Sequence, residues 1–265
     1  MNDDLTRLGL MDEDDIALDE AALLLALADH PGADATVAQD LLEAISIRLD
    51  VAGADAETAA ERAGALAEVI GGEFGFVGDT ASYDDPANAD LLQVLERRRG
   101  LPVSLSILYV AAARRLGWSA DVLDVPGHVL VLIEAESEPV IVDPFAGGAR
   151  VGAERLSALL EAARPGQAVT HVAAMPNRAV LVRLVQNQAA RAELAGKGRR
   201  ALELYGRMTR FAPDQPHGWW ERARLELVDG DHAAARRSLG AILEITREPE
   251  LRARVTDLLE QLNAA

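Results

Sequence analysis

The sequence predicts an α+β protein in which one apolar helix packs on a small antiparallel sheet, with further helices on either side. Three observations support this class. Apolar residues recur at helical spacing through the first third of the 265 residues. Three short β-like runs follow one another between residues 120 and 145. Small and apolar residues then recur with a period of about 34 residues near the C terminus, which is typical of stacked helical hairpins.

The composition fits one large domain or two to three small ones, with 49% hydrophobic and 26% charged residues. No apolar run reaches the roughly 18 residues that a membrane-spanning helix needs. The start MNDDLTRLGLMDEDD is acidic, whereas a secretory signal begins with basic residues and continues with an apolar run. We therefore expect a soluble, cytoplasmic protein that does not associate with a membrane.

Cysteine is absent, which excludes disulfides, cysteine-ligated zinc, iron–sulfur clusters and a cysteine nucleophile. The histidines do not pair at a helical spacing of four, and two of them, His30 and His171, fall in expected loops. Glycine-rich phosphate-binding signatures are also missing. The sequence therefore predicts no metal and no cofactor.

The net charge of −17 is concentrated in residues 1–90, which hold 22 acidic and 3 basic residues. Such a segment repels phosphate backbones, so we expect no nucleic-acid partner. Two interpretations of the acidity remain open. Solubility is the favoured one, and a docking surface for a basic partner is the alternative.

Residues 1–80 form a predicted acidic helical N-terminal segment. Helices are expected near 18–28, over 34–50 and over 55–70, while the Gly-, Asp- and Pro-rich stretch 71–87 is expected to be a loop or linker. The second helix is predicted to place four apolar residues on one face: Val37, Leu41, Leu42 and Ile45.

Residues 81–175 form the predicted central domain. A helix is expected over 88–99 with Asn88 as its N-cap, and Pro102 suits the first position of the next helix, PVSLSILYVAAARRLG. The β-like runs are ADVLDV, HVLVLIE and PVIVDPF, and Pro126–Gly127 is expected to turn the chain between the first two. Adjacent antiparallel strands are the simplest arrangement of these runs.

Residues 176–265 are predicted to form two repeats of the tetratricopeptide type. Gly196 and Gly230 lie one period apart, and breaks in the pattern separate the units. Trp219 and Trp220 are expected to pack within the repeat. As an alternative, one of them lines a peptide-binding groove.

One pair of residues is the candidate for chemistry in this pattern, although we favour a structural role for it, as a buried histidine tied to a carboxylate at the sheet. His128 opens one predicted strand and Asp143 ends the next, so a carboxylate can hold an imidazole in one tautomer. This is the base and orienting half of a nucleophilic triad, and its third member should come from the start of the helix at Pro102.

The blocks LERRRGLPVSLSILYVAAARRLG, VPGHVLV and VIVDPFAGG, in this order, resemble the transglutaminase-like domain of the SirB1 family, which is followed there by tetratricopeptide repeats. The resemblance covers roughly residues 85–265 and implies an α+β fold related to papain-like enzymes and transglutaminases. It also implies a triad of Cys, His and Asp. His128 and Asp143 match the last two, whereas Pro102 occupies the position of the cysteine.

Two serines follow the proline. Ser104 lies two residues on, so its side chain is rotated by roughly 200° around the helix, and Ser106 returns to the same face about one turn deeper. Serines in an apolar helix usually bond a backbone carbonyl, and we favour that role for both.

The sequence therefore leaves two hypotheses. The favoured one is a non-catalytic, degenerate transglutaminase-like protein that binds a protein or peptide, or regulates one. The alternative is a hydrolase or acyltransferase with Ser106, or else Ser104, as nucleophile, His128 as base and Asp143 as orienting residue.

Overall fold

The computed structural model describes residues 2–125, 127–163 and 172–264. They divide into two compact units: Glu13–Leu184, and Met1–Asp12 together with Val185–Ala265. Within the described residues, none of the helices combines the length and the apolar character needed to cross a membrane. The three-part division with boundaries at residues 80 and 175 stays a prediction.

The secondary structure mixes helices with small sheets, which confirms the α+β class. The helices in the described residues are α1 (Asn2–Gly9), α2 (Leu18–Leu27), α3 (Thr36–Ala52), α4 (Ala59–Leu66), α5 (Leu91–Arg97), α6 (Pro102–Arg115), α7 (Ala153–Ala163), α8 (Asn177–Leu194), α9 (Gly198–Phe211), α10 (Pro216–Val228), α11 (His232–Ile245) and α12 (Pro249–Ala264). The strands are β1 (Val77–Gly78), β2 (Arg99–Gly100), β3 (Ser119–Val125), β4 (His128–Glu134), β5 (Val140–Asp143) and β6 (Ala149–Arg150).

Helix α6 lies at the centre of the larger unit. Its residues from Pro102 to Ala113 are all buried, because the sequence is apolar around the whole helix. Strands β3 and β4 cover part of its surface, and α2 and α3 also pack against it. Pro102 is the first helical residue, as predicted, where its missing N–H leaves no hydrogen bond unmade.

Strands β3, β4, β5 and β6 form one sheet in that order, and every neighbouring pair is antiparallel. This confirms the predicted arrangement of the three β-like runs. The pairing of Val131 with Val142 sets the register between β4 and β5. A second ladder was not predicted: β1, within the stretch 71–87 that we expected to be a loop, pairs in parallel with β2.

Two local expectations were wrong. Helix α5 begins after Asp90, whose side chain accepts the Gln93 N–H, whereas the Asn88 amide bonds to the backbone of Ser82 and Tyr83. On α3, Leu42 and Ile45 are buried as expected but Val37 is 76% exposed. The buried stripe of α3 is rotated from the predicted one and consists of Ala38, Leu42, Ile45 and Leu49.

The smaller unit contains consecutive helices that pack against their neighbours, from α9 to α12. Gly196 and Gly230, one period of the sequence pattern apart, both have positive φ and both follow a helix end. The same turn thus recurs at the predicted period, because glycine adopts this backbone conformation without strain. Assignment of these helices to the tetratricopeptide class stays a prediction.

Two expectations fall wholly or partly outside the described residues. Pro126 of the predicted turn is one, although Gly127 is described and has a positive φ of 79°. The loop at His171 is the other.

We predict that Gly148→Ala strongly destabilises the protein. Gly148 has a φ of +83°, and an added Cβ would lie 2.7 Å from the Cβ of Ala67 and 2.8 Å from the hydroxyl of Tyr109. Strain in the left-handed region and overpacking together should lower the free energy of unfolding by about 2–4 kcal/mol. Urea unfolding checks this. Gly152→Ala is the control because a Cβ there meets nothing within 4 Å, and equal losses in the two variants would contradict the prediction.

Candidate functional site

The sheet brings His128 and Asp143 together. His128 is the first residue of β4 and Asp143 the last of β5. The register places Asp143 beside Leu130, one step beyond the pair formed by Val131 and Val142. Side chains alternate along a strand, so His128 lies on the same face as Leu130 and therefore on the same face as Asp143.

The two side chains are in direct contact, and Asp143 is buried whereas His128 is half-buried. Nε2 of His128 lies 3.0 Å from Oδ1 of Asp143, and the side chains are 16% and 2% exposed. The ring N–H is nevertheless not aimed at this oxygen, and Nε2 has no well-aligned hydrogen-bond partner. The contact is therefore close but is not a well-aligned hydrogen bond.

Asp143 is held by more than the histidine. Its Oδ1 also accepts the backbone N–H groups of Phe145 and Ala146, at 3.1 and 3.3 Å, and its Oδ2 accepts from Nη2 of Arg155 at 3.2 Å. Burial raises the pKa of Asp143, but the contact with His128, the Ala146 N–H and the charge of Arg155 lower it. The net pKa lies below its ordinary value.

The loop after Asp143 completes one wall of the site. The Phe145 ring meets the His128 ring edge-on, with 6.2 Å between the centroids, and meets Tyr83 at 5.8 Å in the same way. Only a glycine at position 78 leaves room for this ring, since a Cβ there would lie 2.4 Å from it. The sequence analysis did not assign a role to Phe145, although it belongs to the DPF block.

Helix α6 contributes polar groups that face no partner. Pro102, Ser106 and Tyr109 are spaced by four and three residues, so they share one face of the helix. Both hydroxyls, of Ser106 and of Tyr109, are buried and have no hydrogen-bond partner among the described residues. Burial raises the pKa of Tyr109, and the charge of Asp143 raises it further, so the phenol stays neutral. Tyr109 could not be singled out from the sequence, because it lies in an apolar run and has the pattern of a core residue.

Neither serine is bonded to the histidine. The Ser104 hydroxyl donates to the carbonyl oxygens of Asn88 and Leu101, at 2.8 and 3.0 Å, which is the structural role favoured above. The Ser106 hydroxyl and Nε2 of His128 both lack a hydrogen-bond partner, so they are not bonded to each other. A proton transfer between them would require the groups to move.

Trp219 and Trp220 lie in the smaller unit and pack against a cluster that contains Ala223 and Leu239. The indole N–H of Trp219 donates to the carbonyl of Pro213 at 2.8 Å, and the guanidinium of Arg254 lies 4.1 Å from the centre of the Trp220 ring. Both side chains thus have packing partners. Within the described part of the chain, no group of three His, Asp or Glu side chains could hold a metal ion.

Sequence comparison finds proteins that are similar to this chain. A family model described as transglutaminase-like superfamily matches residues 36–186. A UPF0162 protein of Xylella fastidiosa is 30% identical over 247 residues, which cover 90% of this chain and 87% of the relative. A UPF0162 protein of Vibrio cholerae is 32% identical over 143 residues, 53% of each chain. F-box only protein 21 of Homo sapiens is 33% identical over 81 residues, which are 31% of this chain and 13% of that protein.

We predict that Asp143→Asn lowers the free energy of unfolding by about 1–3 kcal/mol at neutral pH, because the buried charge contacts are lost. The folded state lowers the pKa of Asp143. The stabilisation that ionised Asp143 gives the folded state is therefore complete above the ordinary carboxyl pKa. It disappears as the pH falls through the lowered pKa of the folded state. Denaturant unfolding between about pH 3 and pH 7 measures the free energy of unfolding of Asp143→Asn and of the unmodified protein. We expect the difference between the two to become smaller as the pH falls.

The control is Asp124→Asn, whose side chain is 47% exposed and pairs with Arg183 at the surface. It should change the free energy of unfolding by no more than about 1 kcal/mol. A difference for Asp143→Asn that stays constant across the pH range would contradict the prediction.

Proposed function

We propose that this chain, which belongs to the transglutaminase-like superfamily and to the family of the UPF0162 proteins, binds a protein or peptide in the cytoplasm. The proposed function is non-catalytic. The resemblance noted above implies that catalysis on this scaffold uses a cysteine at a helix start, a histidine and an aspartate. The present chain keeps the second and third of these residues and has proline at the first position.

The observation that carries the proposal is a half-buried base to which no nucleophile of the described residues is bonded. His128 and Asp143 are in contact, while Pro102 opens α6 and carries no nucleophilic atom. The chain contains no cysteine that could replace it. Covalent catalysis on this scaffold needs a side-chain nucleophile that the base can deprotonate, and none is bonded to His128 among the described residues.

The two serines do not supply the missing group. Ser104 uses its proton to bond backbone carbonyls, and Ser106 is completely buried within α6 without a bond to His128. A substrate carbonyl would have to reach the interior of the helix packing to meet Ser106.

We predict that the protein gives no covalent adduct with a fluorophosphonate or an activated thioester, because no nucleophile is activated. Intact-mass spectrometry checks this after long incubation. Ser106→Ala and His128→Ala serve as matched variants. An adduct that forms on the unmodified protein and disappears in both variants would establish the hydrolase alternative and end the non-catalytic proposal.

We further predict that Pro102→Cys creates a thiol whose reactivity depends on His128. A thiol at the first position of a helix has a lowered pKa because of the helix dipole, and a nearby imidazole lowers it further. The substituted protein has one cysteine, so the rate of alkylation by iodoacetamide is measured directly by mass. We expect a slower rate when His128→Ala is added. An equal rate with and without the histidine would show that position 102 does not face the pair.

The smaller unit contains a groove that could bind a protein segment. A groove of about 320 Å³ lies along α9 and α10. Its lining carries more cations than anions, and it comprises Arg199, Leu202, Glu203, Gly206, Arg207, Arg210, Arg222 and Glu226. Its four arginines outnumber its two glutamates, so the positive net charge of the groove suits a segment that carries carboxylates.

Gly206 provides the means to test this surface. A Cβ at Gly206 meets nothing within 4 Å, and the same is true of Gly240 on α11, which lies one period of the sequence pattern later. Gly206→Met should fill the groove, whereas Gly240→Met adds the same side chain elsewhere. Neither change places the new Cβ against a neighbour.

We predict that a partner captured by the full-length protein is retained by Gly240→Met and lost by Gly206→Met. Affinity capture followed by quantitative mass spectrometry is the measurement. Thermal unfolding confirms that both variants are folded, and equal recovery of partners by the two variants would rule out this groove as the binding surface.

A further inference from the structure

The larger unit contains a second groove, of about 580 Å³, between α2 and α3. Each helix lines it with four residues at the spacing i, i+3, i+4 and i+7, so each presents one face over two turns. These residues are Glu20, Leu23, Leu24 and Leu27 from α2, and Gln39, Leu42, Glu43 and Ser46 from α3. Both helices pack on α5 and α6, which support the groove from below.

The floor of this groove is apolar. Leu23 and Leu42 are buried, and Leu24 and Leu27 are half-buried and reach the open space. Leucine side chains gain free energy when a partner covers them, at about 25 cal/mol per Å² of apolar surface. Three leucines of α2 and Leu42 of α3 form an apolar surface. Such a surface favours the apolar face of a partner helix, whose side chains recur at the same spacing.

The rim of the groove is anionic. Glu20 and Glu43 lie at its edges. Arg115 also lines it, but its guanidinium is paired with the carboxylate of Asp19, which is 1% exposed, so its charge is compensated. The surrounding residues 13–90 hold 19 acidic and 2 basic side chains. The electrostatic field at this groove therefore attracts a cationic partner.

The groove is also held in place. Nε2 of His30, in the connection between α2 and α3, lies 2.7 Å from Oδ2 of Asp90. Asp90 in turn caps α5 through the N–H of Gln93. The connection is thereby fixed to the same helix that supports α2 and α3, and a rigid site loses less entropy when it binds.

We propose that this groove binds a cationic amphipathic helix of another protein. The partner helix carries leucine-like residues at i, i+3, i+4 and i+7, flanked by Lys or Arg that face Glu20 and Glu43. Helix α2 has 10 residues, which corresponds to a bound segment of about three turns, or about 15 Å. This proposal concerns a different surface from the groove on α9 and α10 and does not depend on it.

The charge distribution favours a cationic helix over a second copy of the chain, a nucleic acid or an anionic membrane. A second copy of the chain would bring the same acidic surface, because residues 13–184 hold 28 acidic and 12 basic residues. Like charges at an interface oppose association. Nucleic acids and anionic membranes are repelled for the same reason.

Binding of a fluorescent peptide to the full-length protein tests the proposal. The probe is an amphipathic Leu/Lys peptide of about 14 residues, and its scrambled form, which has the same composition but no apolar face, is the control. We expect anisotropy to show saturable binding of the amphipathic peptide alone. Raising NaCl from about 50 mM to about 500 mM should weaken it by about tenfold or more.

Two charge-reversed variants distinguish an effect of the groove residues from an effect of the net charge of the protein. Glu20→Lys with Glu43→Lys should weaken peptide binding by about tenfold or more. Asp55→Lys with Glu57→Lys changes the net charge equally but lies outside the groove, and should change binding by no more than about threefold. Equal effects of the two pairs, or equal binding of the scrambled peptide, would overturn the proposal.

A third variant tests the apolar floor without disturbing the core. Gln39 is exposed, and Gln39→Trp should place an indole in the groove and block the peptide, while the thermal unfolding temperature stays close to that of the unmodified protein. Unchanged affinity in this variant would overturn the proposal. Sedimentation showing a dimer that Gln39→Trp dissociates would assign the groove to a second copy instead, and would overturn it as well.

Discussion

The burial of α6 is the constraint on which the larger unit depends. A helix that is apolar around its whole circumference must be covered on every side, since exposed apolar surface costs about 25 cal/mol per Å². Strands β3 and β4 cover one part of it, and α2 and α3 cover another. The same requirement brings the start of the helix, at Pro102, into the protein interior. The fold thus places a helix N-terminus in a protected position whether or not that position carries a nucleophile.

The buried carboxylate of Asp143 imposes a second constraint, because an isolated charge in the interior is unstable. Two backbone N–H groups, Arg155 and His128 stabilise it. Asp143 therefore has a structural role that does not require catalysis: it caps the turn formed by residues 144–146. The presence of Asp143 therefore does not require a nucleophile at position 102.

Sequence analysis succeeded where the structure follows from local patterns. Helix α6, the antiparallel strands and the partnership of His128 with Asp143 are all consequences of periodicity, of a proline at a helix start and of strand order. It failed where a tertiary contact decides the outcome. Asp90 rather than Asn88 caps α5 because Asn88 is used by the loop at Ser82, and Val37 is exposed because α3 turns a different stripe towards α6. No local pattern contains that information.

The same distinction explains why the polar groups around the site were missed. In the sequence, Tyr109 is one residue among many apolar ones. Only the folded structure brings its hydroxyl close to Gly148 and places the phenol under the electrostatic influence of Asp143. Ser106 and Tyr109 leave two buried hydroxyls without partners on the helix face that begins at Pro102. Unpaired buried hydroxyls carry a cost of about 1–3 kcal/mol each. Packing of the core therefore does not require either hydroxyl, since an apolar side chain of similar shape would avoid this cost.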